Sequence, residues 1–213
     1  MPDGSRRTRR LLLSAAVGVL ALVGTAAMSS AARADTVSPA LCSTTLQQGS
    51  SGSCVSELQT RLNQLGAHLS VDGNFGPATR NAVEAFQGRS SIGVDGIVGP
   101  TTRSHLDSPG GVTLDTASAS QVQSMINSVF GSAAPTALRV ARCESSYNEI
   151  AINRNTNGTR DYGIFQLNDG GTLQGLGGDA HSALYASSNI SMAHTLYLQR
   201  GWQPWSSSQS CWG

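Results

Sequence analysis

Val71-Asp72-Gly73-Asn74-Phe75-Gly76-Pro77-Ala78-Thr79-Arg80 returns 23 residues later as Val94-Asp95-Gly96-Ile97-Val98-Gly99-Pro100-Thr101-Thr102-Arg103. The shared string is Val-Asp-Gly-x-x-Gly-Pro-x-Thr-Arg, and two copies at a fixed period mark one structural unit used twice. In each copy Asp-Gly predicts a tight turn. Gly-Pro then predicts a helix start, since proline in a first turn lacks only an N–H that has no partner there anyway. Before the first copy Val55, Leu58, Leu62 and Leu65 fall at helical spacing, and after it Ala82, Val83 and Phe86 do the same. The expected unit is a small bundle of three short helices joined by Asp-Gly turns.

Working outward, Ser108-Pro109-Gly110-Gly111 has no apolar periodicity, so residues 108–119 read as a linker. Beyond it Val122, Met125, Ile126, Val129 and Phe130 mark one helical face, with Ser118 or Ser120 as N-cap. Pro135 opens a second helix that runs to Glu144 and ends at Ser145, Ser146 and Asn148. Glu144 therefore sits at a helix C-terminus, where the carbonyl ends disfavour negative charge. Asn155-Thr156-Asn157-Gly158 lies between two short alternating segments, which predicts a β-hairpin. Asp161, 17 residues after Glu144, lies on its returning strand. Two carboxyl groups on opposite walls of a cleft suit glycosidic-bond cleavage, because one donates a proton to the leaving oxygen while the other supports positive charge at the anomeric carbon.

Residues 46–106 resemble the peptidoglycan-binding domain family, through Gly49, Gly52, Val55, Leu58-Gln59, Leu62, Gly66, the two Val-Asp-Gly turns, Ala82-Val83 and Phe86-Gln87. The resemblance implies a shallow groove near the Asp-Gly turns that holds part of the cell-wall polymer. The second half is similar to the animal-type (c-type) lysozymes. Glu144-Ser145, Asn153-Arg154-Asn155-Thr156-Asn157-Gly158 and Asp161-Tyr162-Gly163-Ile164-Phe165-Gln166-Leu167-Asn168 follow their pattern, including the step between the two carboxylates. That likeness implies Glu144 as general acid and Asp161 as nucleophile or stabiliser. It also implies that Gln166 and Asn168 help hold the sugar, and that Asn153 and Asn155 support Asp161 through hydrogen bonds favouring its charged form. The Cys143-Glu144-Ser145 start and the ending Gly201-Trp202-Gln203-Pro204-Trp205 resemble the resuscitation-promoting factors and related transglycosylase domains. From that ending Trp202 and Trp205 are expected beside the substrate, with Trp202 packed on Glu144.

The chain has 213 residues and 14 basic residues, all Arg. Arg6, Arg7, Arg9 and Arg10 precede the apolar run from Leu11 to Gly24, and Ala32-Arg33-Ala34 offers a cleavage site. Residues 1–34 are thus expected to be a secretory signal peptide, an uncleaved anchor being the competing reading. Without that segment nine Arg face 12 acids, a net charge of −3. So small and dispersed a positive charge argues against nucleic-acid binding. All four cysteines follow the cleavage site. Of their three possible pairings the domain boundary selects Cys42 with Cys54 and Cys143 with Cys211. Their wide spacing, with no close His pair, argues against a metal site, and no cofactor motif is present.

The sequence predicts a mainly α (α+β) chain: a peptidoglycan-binding three-helix bundle over residues 35–107, the linker, and a lysozyme-like helical domain with a short β-hairpin over residues 120–213. The expected protein is a secreted, wall-associated, monomeric muramidase. It would need no metal or cofactor, have peptidoglycan as its partner, bind no nucleic acid and keep no membrane attachment after cleavage. A lytic transglycosylase using Glu144 without Asp161 is the alternative, and a non-catalytic wall-binding or resuscitation-type protein the third reading.

Overall fold

Helix α1 (Ser53–Gln64) is packed against α2 (Pro77–Arg89), and α3 (Pro100–Asp107) completes the first group. The structure, a computed structural model, describes residues 41–213; the expected signal segment and cleavage site lie outside the described residues. Pro77 and Pro100 stand in the first turns of α2 and α3 after extended Gly76 and Gly99, which is where the repeat puts them.

The repeated string is the visible part of a repeated hydrogen-bond unit. Gln59 on α1 accepts from the N–H groups of Asp72 and Gly73, and its amide nitrogen donates to Asp72 Oδ1, Asn74 O and Thr79 Oγ1. Gln87 on α2 does the same with Asp95, Gly96, Ile97 and Thr102. Both glutamines are 1% exposed, so every polar atom of each amide needs such a partner. The Asp, Gly and Thr of the string are thus what a buried glutamine on the preceding helix requires.

The first core gathers Val55, Leu58, Leu62, Phe75, Val83, Phe86, Val98 and Leu106. Residues 108–119 do not hang free from it. Leu114 is fully buried in this core, and its N–H bonds to Leu65 O.

The second half begins with α4 (Ala119–Phe130), capped reciprocally by Ser118 and Gln121, and α5 (Ala134–Ser145), which ends at left-handed Ser146. Strands β1 (Ile152–Arg154), β2 (Arg160–Tyr162) and β3 (Leu167–Asn168) form an antiparallel sheet in that order, with Asn153 opposite Asp161 and Asp161 opposite Asn168. The Asn-Gly hairpin is therefore present, and a third strand that the sequence pattern did not signal joins it. Short helices α6 (Thr172–Gly175) and α7 (Ala180–Ala183) lead to α8 (Ala186–Arg200), a 3₁₀ segment (Gln203–Ser208) and α9 (Gln209–Trp212). A second core collects Val122, Ile126, Phe130, Val140, Phe165, Leu184, Ile190 and Trp205.

Both expected disulfides are present, Cys42–Cys54 and Cys143–Cys211, with Cα separations of 5.6 and 6.1 Å. The two halves lie in one compact unit. Arg89, at the end of α2, is 2% exposed and bonds to Glu149 Oε1 at 3.0 Å. Its other N–H groups reach the carbonyls of Thr113, Asp115 and Leu184, and its guanidinium stacks on Tyr185. Glu149 in turn accepts from the N–H groups of Ala117 and Ala186. A second clasp joins Arg154 on β1 to Glu84 on α2 and to Asp95 O.

Candidate active site

The end of α5, the three-stranded sheet and the C-terminal segment enclose a cleft of about 170 Å³. Glu144 and Asp161 both line it, together with Gln166, Leu167, Asn168, Thr172, Leu196, Pro204, Trp205 and Ser207. The two carboxyl groups named from the sequence thus share one cavity, and their surroundings differ.

Glu144 is the penultimate residue of α5 and has its carboxyl in the cleft. Burial pushes its pKa up, the Ser208 hydrogen bond opposes that, and the Asp161 charge adds to it. The donor is Ser208 Oγ, 2.5 Å from Glu144 Oε1. The neighbouring Cys143 is bonded to Cys211, and Arg139 Nε donates to Trp212 O at 2.8 Å, so the acid-bearing helix is fastened to the C-terminal segment.

Asp161 sits on β2 between two amide donors. Asn155 Nδ2 reaches Oδ2 at 3.0 Å and Asn168 Nδ2 reaches Oδ1 at 2.6 Å. Thr159 Oγ1 accepts from both amides, at 3.1 and 3.0 Å, so their orientation is fixed. Both oxygens of Asp161 are thus used as acceptors.

Several expected positions shift in role. Asn168 lines the cleft, but its amide serves Asp161, because the β2–β3 register sets the two residues opposite one another. Asn155 supports Asp161 as expected and is not among the lining residues, while no hydrogen bond links Asn153 to Asp161 among the described contacts. Gln166 lines the cleft with its amide nitrogen on Gly163 O and Ala151 O, bracing the β2–β3 turn. Trp205 also lines it, buried, with Nε1 donating to Phe165 O.

Trp202 is not among the lining residues. It packs in an aromatic group with Phe130, Tyr197, Trp205 and Trp212 at centroid distances of 4.5–6.2 Å.

Sequence reading missed Ser208, Thr159 and Asn189. Asn189 is fully buried, accepts from Phe165 N and donates to Tyr162 O and Ala183 O, holding the turn after β2. No group of three or more His, Cys, Asp or Glu that could hold a metal occurs among the described residues, and no helix there is long and apolar enough to cross a membrane.

A further concavity of about 330 Å³ lies at the second Asp-Gly turn of the first group, lined by Ile92, Gly93, Asp95, Ile97, Gly99, Pro100, Thr101 and Thr102.

Fold and site together define a two-module chain, a repeat-built helical bundle fused to a helical domain with a carboxylate cleft. Residues 51–106 match the family described as "Putative peptidoglycan binding domain", so the chain carries a domain of that family. The chain is 41% identical over 93 residues to the zinc D-Ala-D-Ala carboxypeptidase of Streptomyces albus G, covering 38% of this chain and 36% of that protein. It is 53% identical over 38 residues to lysozyme C II of Oncorhynchus mykiss, covering 18% of this chain and 26% of that protein. It therefore spans about a third or less of the length of these two relatives. Among solved structures, the N-terminal domain of SleB is 40% identical, covering 32% of this chain and 93% of that one, with a TM-score of 0.31.

Proposed function

We propose that the chain is an exported, wall-associated peptidoglycan hydrolase of the muramidase type, cleaving the β-1,4 bond between N-acetylmuramic acid and N-acetylglucosamine. The observation that carries this reading is the pair of unlike carboxyl groups in one cleft. Glu144 is partly desolvated, while Asp161 accepts an amide N–H at each of its oxygens. A group whose burial favours its neutral form keeps its proton to higher pH than an exposed carboxyl does, and can pass it to the glycosidic oxygen. An acceptor-only carboxylate opposite can then support positive charge at the anomeric carbon, as nucleophile or as counter-charge, until water completes the reaction.

The peptidoglycan-binding domain supports the wall polymer as partner, with the concavity at the second Asp-Gly turn as its candidate seat. The stretch shared with a lysozyme supports the reaction class. Two disulfides and the Arg-headed apolar start of the chain support export to an oxidising compartment.

The alternative is a lytic transglycosylase, in which Glu144 acts alone as acid and then base and the muramyl 6-hydroxyl replaces water. It is favoured by the capture of both Asp161 oxygens by amides, which suits a purely supporting carboxylate. Mass spectrometry of digested cell walls separates the two. Under the hydrolase reading products carry reducing muramyl ends, and Asp161→Asn lowers the rate by orders of magnitude. Mainly anhydro-muramyl ends, with Asp161→Asn nearly as active as the native chain, would establish the alternative. Zymography with Glu144→Gln tests the non-catalytic reading, which predicts no clearing by either protein.

A further inference from the structure

We infer that Ser208 is a positioning residue for Glu144 that serves both protonation states of the acid, reversing one hydrogen bond as the proton leaves and returns. The inference rests on the acid role proposed for Glu144. A serine hydroxyl has one hydrogen to give and two lone pairs to receive. One lone pair of Ser208 Oγ receives Trp212 Nε1–H at 3.1 Å. That leaves one hydrogen and one lone pair for two remaining neighbours, Glu144 Oε1 at 2.5 Å and Trp205 O at 3.1 Å.

With Glu144 ionised, the hydroxyl donates to Oε1, and the single Trp212 indole N–H is shared between Ser208 Oγ and Trp205 O, each at 3.1 Å. With a proton on Oε1, the Glu144 O–H donates to the second lone pair of Ser208, whose own hydrogen turns to Trp205 O. Both states are fully bonded with every heavy atom in place, and the change between them is a rotation about one C–O bond. At transfer the Glu144 O–H turns from Ser208 to the leaving glycosidic oxygen, and the proton returns to Oε1 from the attacking hydroxyl, of water or of the sugar. Ser208 is neutral throughout.

The surroundings hold this arrangement still. The Cys143–Cys211 bond ties the residue before Glu144 to the helix that starts just after Ser208, and Trp212 and Trp205 are buried. Asp161 on β2 is the other ionisable group lining the cleft; α8 contributes Leu196, and the C-terminal segment Pro204, Trp205 and Ser207. A hydroxyl that bonds the charged form of Glu144 counteracts desolvation, so without it the acid would hold its proton too tightly to act as a base in the second half of the reaction.

The test uses the full chain, Ser208→Ala and Ser208→Thr. One readout is a carbon-13 NMR titration of the glutamate carboxyls, with Glu144 assigned through Glu144→Gln. The other is the pH–rate profile on soluble peptidoglycan fragments. Ser208→Ala is expected to move the Glu144 titration and the alkaline limb of kcat together to higher pH. It should also lower kcat about tenfold, the rate equivalent of one hydrogen bond to a charged group, with KM unchanged. Ser208→Thr keeps the hydroxyl and should restore all three. A Ser208→Ala titration and profile that superimpose on the native ones overturn the inference. If Ser208→Ala fails to fold, Ser208→Thr decides: native titration and kcat support the inference, and a folded Ser208→Thr with a displaced titration overturns it. A native chain without activity on fragments refutes the proposed function, while the titration still tests the Ser208 bond.

Discussion

Replacing Glu149 by Gln tests whether the two modules unfold as one body. Glu149 Oε1 accepts from Arg89 Nη2 at 3.0 Å and Ala117 N at 3.1 Å, and Oε2 accepts from Ala186 N at 2.7 Å. A carboxamide keeps one oxygen for the first two donors. Its NH₂ then faces either the Ala186 N–H or the Arg89 fork, so two donors meet head-on. At the same time the Arg89 guanidinium, 2% exposed, loses its buried counter-charge. Removing one partner of such a pair costs about 3–5 kcal/mol, because the remaining charge is stranded away from water. At about 2–4 °C per kcal/mol for a chain of this size, the melting temperature should fall by about 10 °C.

The assay is thermal unfolding followed by two probes. All three Trp (Trp202, Trp205 and Trp212) lie in the second module, so their fluorescence reports that module, while far-ultraviolet circular dichroism reports helices in both. In the native chain the two transitions should coincide, and in Glu149→Gln they should separate as well as shift. A shift under about 2 °C with coincident transitions would refute the account of Arg89 and Glu149 as the fastening between modules.

Glu144→Gln should abolish wall clearing and raise stability at neutral pH. The pKa of Glu144 is raised in the folded chain, so folding binds a proton and stability falls as pH climbs from the ordinary carboxylate range through Glu144's own higher pKa. Calorimetry at pH 4 and pH 7 should find the substitution near neutral at the first and stabilising at the second. Loss of Cys143–Cys211, which closes 68 residues, should cost about 4 kcal/mol, against about 3 for Cys42–Cys54, which closes 12. Urea unfolding of the two double Cys→Ser variants measures both, and activity should fail in the first before the second. Gly163→Ala should lower stability by about 2 kcal/mol and activity with it, measured by the same unfolding and by clearing. Gly163 has φ +73°, and an added Cβ would stand 2.2 Å from Ala183 O and 2.4 Å from Asn189 Nδ2.

Short-range features were legible in the sequence. The period of Leu58, Leu62 and Phe86 marks helices by their buried faces, and Asn157-Gly158 marks the hairpin because few pairs accept such a turn. Gly-Pro fixed two helix starts for a backbone reason that does not depend on the rest of the chain. What escaped was long in range and built from common residues. Ser208 is 64 positions from Glu144 in a serine-rich run, and nothing local distinguishes it from its neighbours. Arg89 and Glu149 are 60 positions apart, and either reads alone as a surface charge. Asn168 takes its place from strand pairing, and Trp202 from an aromatic group whose members Phe130, Tyr197 and Trp212 come from three separate helices.

The clasp of Arg154 on Glu84 and Asp95 O sits on the strand just before the turn that presents Asn155 to Asp161. Two sites on a flexible tether sample a cloud of separations, with an effective concentration set by tether length. Here the second Asp-Gly turn and the carboxylate cleft are held at one separation, as the jaws of a fixed caliper are. Under the proposed function, a strand held at the turn meets the cleft at one offset along its length. The size of the released fragments is then a dimension of the protein, and shortening or loosening the clasp would blur it.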